Sequence, residues 1–199
     1  MEQLIMLVVL FFSVIIHEVA HGYIALLNGD PTAKLYGRLT LNPMPHIDPV
    51  GTILVPALLF LSQSGILFGW AKPVPVNPRN FRNFTIGELS VSAAGPLSNF
   101  FLAFVSAQLL PLAGNNLGFF LFCKYGVIIN LYLMLFNLIP IPPLDGSRVV
   151  MPLLPRSLQQ LYGHLEPVGF ILILLLLYSG LWFALIMPIF RFLMEILIG

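Results

Sequence analysis

His17 and His21 are separated by three residues, and the first is followed by a glutamate, in the order His17-Glu18-Val19-Ala20-His21. On a helix, residues four apart lie one above the other, so both imidazoles can grip one metal ion. Glu18 stands between them, placed to take a proton from a water activated at that metal. The pattern lies inside an apolar run from Leu4 to Leu27. Histidine and glutamate are costly in hydrocarbon, so three such side chains within five residues of a membrane segment mark a functional site. The competing reading is a pair of core histidines hydrogen-bonded to neighbouring helices.

A catalytic zinc takes three protein ligands and keeps one position open. The histidine pair supplies two, and the third has to come from Asp30, Asp48, Asp145, His46, His164 or Glu88, with Glu166 and Glu195 behind. Asp145 stands out among them. It follows the break Pro140-Ile141-Pro142-Pro143-Leu144 at the end of an apolar block and precedes Gly146. Prolines remove backbone donors and glycine permits a turn. An unwound segment at membrane depth persists only where it is buried in protein or lines a cavity, and such a break can aim a carboxylate inward. On spacing alone, a helix-capping aspartate accounts for Asp145 equally well. Asn137, on the same side as the break, is either a donor to a developing anion or an asparagine bonding between helices.

The elements that must position these residues are apolar throughout. With 58% hydrophobic and 9% charged residues among 199, and a mean hydropathy of +0.95, the chain reads as an integral membrane protein rather than a soluble domain. A net charge of +1 without a basic cluster gives no reason to expect nucleic-acid binding. The single cysteine, Cys123, excludes an internal disulfide and a thiolate metal cage. Met1-Glu2-Gln3 lacks the positive flank of a cleavable signal.

Block one, Leu4 to Leu27, is long enough to span about 30 Å of hydrocarbon. Lys34 to Asn42 alternates polar and apolar residues, which predicts a small strand. Val50 to Leu61 is too short to span and reads as re-entrant, with Ile66 to Trp70 as its return and the proline-rich residues 71–78 beyond. Ile86 to Leu112 and Leu117 to Ile139 are two further spans. Val168 to Ile198 is interrupted at Ser179-Gly180 and is one tilted helix or a pair. With block two re-entrant, Lys34, Arg38, Lys72, Arg79, Arg82, Arg148 and Arg156 share one side, opposite the uncharged residues 113–116. By the positive-inside rule the N-terminus is then outside and the site faces the cytoplasm of a cell membrane, with the histidines about 9–15 Å from the cytoplasmic end of helix one.

Three motifs stand in order: His17-Glu18-Val19-Ala20-His21, Gly95-Pro96-Leu97-Ser98-Asn99, and Asn137-Leu138-Ile139-Pro140-Ile141-Pro142-Pro143-Leu144-Asp145-Gly146. Together they resemble the site-2 protease family of intramembrane zinc metalloproteases (peptidase M50-like) over Leu4 to about Val150. His46-Ile47-Asp48-Pro49-Val50-Gly51-Thr52 and residues 71–77 are similar to a small subgroup without PDZ or CBS domains. Ser147 stands where many relatives carry a second glycine. The resemblance implies one domain over 1–199, with a catalytic core at about 4–150 and one or two membrane helices at about 164–198. It implies His17, His21 and Asp145 as ligands of one zinc ion per chain, Glu18 as general base and Asn137 near the oxyanion or substrate backbone.

The expectation is therefore an all-α multi-pass bundle with a re-entrant segment and a small β element near 34–42. It would hydrolyse peptide bonds in or near transmembrane segments of a membrane protein or peptide, within the lipid bilayer. A helical substrate hides its carbonyls, so the strand Leu35 to Leu41 could take the peptide by edge pairing, with Arg38 and Leu39 as contacts; a hairpin that merely closes the site against lipid fits as well. His46 and Asp48 are weaker candidates for substrate or supporting contacts, set against a role in pinning an interfacial turn. Asn99 is expected to bond across to the metal helix. The rivals are an ion transporter or channel, disfavoured by the lack of paired repeats, and a metal-binding scaffold that does not cut, disfavoured by Glu18. Sequence leaves oligomeric state and substrate identity open.

Overall fold

Inside hydrocarbon each backbone N–H and C=O must be satisfied within its own segment, and this chain meets that demand with helices alone among its described residues. The computed structural model describes residues 1–61 and 71–199. In chain order the α-helices are α1 (Glu2–Leu27), α2 (Thr32–Leu35), α3 (Val55–Leu61), α4 (Phe84–Leu109), α5 (Leu117–Asn137), α6 (Asp145–Val150), α7 (Arg156–Gly163), α8 (Gly169–Tyr178) and α9 (Leu181–Ile198). Among the described residues, four helical stretches are long and apolar enough to cross a membrane: α1, Phe84–Ala113, α5 and α9.

The packing of α1 is read from its four-residue spacing. Val9, Ser13, His17, His21 and Ala25 recur at every fourth position and all are buried. Leu4, Leu7, Val8, Phe12, Tyr23 and Leu27 point outward. Polar groups inside and large apolar ones outside are the arrangement that lipid favours. This inner face packs against α4 and α5. The facing side of α4 carries small residues (Gly95, Ala103 and Ala107 among them), which lets the backbones approach. Asn83 and Asn116 cap α4 and α5 by accepting from Ile86 N and Phe119 N. On the far side of α5, Tyr132 stacks on Phe190 at 4.4 Å and Phe136 meets Trp182 edge-to-face at 5.5 Å, which fastens α9 to the core. The interrupted last block is a pair of helices: Gly180 at φ 74° turns the chain between α8 and α9.

The strand expected near 34–42 is not there. Pro31 and Asp30 instead open the single turn α2, Asp30 accepting from Thr32 N at 3.1 Å, and Gly37 at φ 64° ends it. Alternation alone cannot make a strand where, among the described residues, no partner edge is offered, and a left-handed glycine breaks the extended run. Leu35, Tyr36 and Leu41 point outward. The outgoing leg of the expected re-entrant segment is helical, a π-helical stretch Pro49–Leu54 leading into α3. Its return, Ile66 to Trp70, lies outside the described residues.

Residues 71–77 run without helix across the end of α1 and are pinned along their length. Lys72 N donates to His46 O at 2.9 Å, Arg38 Nη2 donates to Lys72 O and Pro73 O, and Asn77 N donates to Asp30 Oδ2 at 2.7 Å. Asp30 is fully buried and also accepts from Asn80 Nδ2 and both donors of Thr32. Burial would push its carboxyl up, but these hydrogen bonds outweigh burial and hold it below its ordinary value of 3.8. A depressed folded-state pKa stabilises the protein fully above the unfolded value, and that stability is lost as pH falls through the folded one. We therefore expect Asp30→Ala to cost about 2–4 kcal/mol at pH 7. The gap in thermal midpoint from wild type should narrow as pH drops below 3.8. A gap independent of pH would contradict this account.

Candidate metal centre

The spacing of four sets His17 and His21 ring against ring on α1, with centroids 4.6 Å apart and Nε2 atoms 3.0 Å apart. Each ring is anchored from behind on α4. His17 Nδ1 bonds Asn99 Oδ1 at 2.6 Å, and His21 Nδ1 donates to Val91 O at 2.7 Å. A carbonyl oxygen only accepts, so His21 carries its hydrogen on Nδ1 and offers the Nε2 lone pair forward. Gly95 lies directly beneath the pair. A Cβ there would stand 2.4 Å from His21 Nε2 and 2.5 Å from His17 Nε2. The second motif thus contributes a missing side chain.

The third group arrives from the far end of α5. Past Asn137 the prolines stop the helix, the chain turns, and α6 begins at Asp145. Gly146 has no room for a side chain, since a Cβ would come within 2.2 Å of Leu138 O, and Ser147 Oγ donates to Leu144 O at 2.6 Å. The turn sets Asp145 Oδ2 3.1 Å from His17 Nε2 and 3.2 Å from His21 Nε2. That oxygen is buried and has no hydrogen-bond donor. With both Nε2 atoms turning lone pairs toward an oxygen that receives no hydrogen, the three atoms form a set of electron-pair donors suited to one cation.

Among the described residues His17, His21 and Asp145 form the group able to hold a metal ion, their ligand atoms all within 4.8 Å of one another. Two imidazole nitrogens and one carboxylate oxygen suit zinc, with iron or cobalt as chemical alternatives. A cavity of about 390 Å3 adjoins them. Glu18 and Asn137 line it, together with Glu88, Ser92 and Arg148. Glu18 Oε2 accepts from Val74 N at 2.7 Å. Asn137 Nδ2 donates back to Leu133 O at 2.9 Å, which uses one of its two amide hydrogens.

The other candidates sit elsewhere. His46 is fully buried, bonded through Nε2 to Thr40 O, and Asp48 caps the turn at Val50 and Gly51. Arg38 braces residues 72 and 73, and Leu39 packs beside Gly22. Asp30 is committed to its own cluster. His164, Glu166 and Glu195 are exposed. Sequence reasoning missed Val74, although a signal exists: between Pro73 and Pro75 it holds the one backbone N–H that can reach a partner.

Residues 113–178 match the model of a family described as "Peptidase family M50". Over 185 residues the chain is 42% identical to YwhC of Bacillus subtilis (strain 168), named as a candidate zinc metalloprotease; 88% of this chain and 81% of that one are covered. Rip2 of Mycolicibacterium smegmatis, named in the same way, is 29% identical over 83% of this chain and 63% of its own. The zinc metalloprotease MJ0392 of Methanocaldococcus jannaschii is 26% identical over 89% of this chain and 43% of its own. No solved structure matches the chain.

Gly95 carries the sharpest test of this geometry. Gly95→Ala inserts a methyl group where both imidazoles stand. It should lower divalent-metal affinity at least about 100-fold, by analogy with the loss of groups that orient metal ligands. Metal content of the purified variant checks this; wild-type occupancy would contradict so close an approach of α4 to the rings.

Proposed function

Because the chain belongs to peptidase family M50, we propose that His17, His21 and Asp145 hold one zinc ion and that Glu18 is the general base beside it. The protein is a multi-pass membrane protein and an intramembrane zinc protease, acting on membrane proteins in a lipid environment. The observation that carries the site assignment is convergence. Two imidazoles of α1 and the carboxylate that opens α6 meet at one point, on a cavity that Glu18 also lines.

Bound there, zinc would lower the pKa of a water molecule to near 7 and polarise the scissile carbonyl. The chain's own groups do the rest. Glu18 takes the proton as water adds to the carbonyl carbon, and returns it to the leaving amine as the C–N bond breaks. Val74 N–H on Oε2 fixes the carboxylate's orientation and leaves Oε1 for that proton. The second amide hydrogen of Asn137 is a donor for the developing oxyanion. The peptide must enter unwound, because a helix hides its carbonyls. A scaffold that only held metal would have no use for Glu18 at the cavity.

The same reading puts the catalytic core at about 4–150, within one domain, and the site toward the cytoplasm of a cell membrane. If α1, α4 and α5 each cross once, residues 28–61 and 71–83 and the turn before Asp145 share a side, and Lys34, Arg38, Lys72, Arg79, Arg82 and Arg148 lie there. The decisive variant is Glu18→Gln. With a quenched transmembrane-peptide reporter in detergent, it should retain about one zinc per chain while cleavage falls about 100- to 10,000-fold. Cleavage at the wild-type rate would remove Glu18 from the chemistry.

A further inference from the structure

His17 and His21 present Nε2 to the same point but are held by different kinds of group. The partner of His21 is Val91 O, which cannot reverse its role. The partner of His17 is the amide of Asn99, an acceptor on one side and a donor on the other. A half-turn of that amide would aim an N–H at His17 Nδ1 and drive the ring's hydrogen onto Nε2, where the ligand lone pair must be. Something has to fix the direction of Asn99.

The fixing group is on α5. Asn99 is fully buried, and its Nδ2 donates to Asn130 Oδ1 at 2.8 Å and to Ser13 O at 3.4 Å. Asn130 is 2% exposed, and its Nδ2 donates to Gly126 O and to Ser13 Oγ, both at 2.8 Å. Reversing Asn130 would press its carbonyl oxygen against Gly126 O and its NH2 against that of Asn99, and both amides are buried. Direction therefore passes along the chain of bonds. Gly126 O orients Asn130, Asn130 orients Asn99, and Asn99 orients the imidazole.

We propose that Asn130 is a positioning residue that acts through Asn99 to keep the hydrogen of His17 on Nδ1 and its lone pair on Nε2. The proposal rests on His17 being a zinc ligand. It adds a residue from a third helix, outside all three sequence motifs.

The test is a double-mutant cycle read as zinc affinity, by competition with a chromophoric chelator in detergent. Asn130→Leu should weaken zinc binding about 10- to 100-fold, and Asn99→Leu at least as much. The double variant should bind no more than about threefold more weakly than Asn99→Leu alone, because the path is already cut. If the two losses multiply, Asn130 merely supports packing and the proposal is overturned. It is equally overturned if Asn130→Leu binds like wild type. Wild type without zinc would instead bring down the ligand assignment itself. Should Asn130→Leu not fold, the zinc-free wild type still decides by proton NMR. The His17 Nδ1–H should be as protected from exchange as that of His21; free exchange of the His17 proton alone would overturn the proposal.

Discussion

A polar atom at the depth of these helices has to find its partner inside the bundle, because hydrocarbon offers none. That constraint shapes the core from α1 outward. Ser13, His17 and His21 share one buried face, and what meets them is chosen to match. A backbone carbonyl and an asparagine receive the rear nitrogens, a second asparagine secures the first, and a glycine leaves space in front. Each unmet bond would cost about 1–3 kcal/mol. The geometry that makes the histidines competent ligands is thus the same geometry that makes them tolerable in a membrane.

The carboxylate obeys the constraint in another way. A continuous α5 would carry its residues past the histidines, so the helix must end early, and ending it frees backbone groups that need cover. Leu144 N and Ser147 Oγ bond back within the turn, and Tyr162 OH from α7 donates to Pro140 O. α8 begins against the same turn: a side chain at Gly169 would collide with Pro142 O. The C-terminal helices therefore buttress the loop that delivers Asp145, although none of their described side chains lines the cavity.

How far the sequence spoke depended on the range of the interaction. The histidine pair was legible because helical periodicity turns a spacing of four into a shared face. The break before Asp145 was legible because prolines and Gly146 have local, fixed consequences. The strand over 34–42 was misread because alternation describes a strand only if a neighbouring edge exists, and Gly37 in the left-handed region ends the extended run. The last block could not be divided until the φ of Gly180 was known. The bond from Val74 to Glu18 joins residues 56 apart, and that from Asn99 to Asn130 joins two helices; neither partner can be read from local spacing. The intramembrane cost of Asn130 was its one available signal.

The central claim is that two histidines of one helix and an aspartate of a distant turn bind the same ion. Zinc K-edge X-ray absorption on the purified protein tests it most directly. The account requires about one zinc per chain in an N/O shell at about 2.0–2.2 Å, with multiple scattering from two imidazoles. In Asp145→Asn, which lacks the carboxylate, that shell should change while both imidazole signatures remain. A wild-type spectrum showing one imidazole or none, or a shell unmoved by Asp145→Asn, would contradict it.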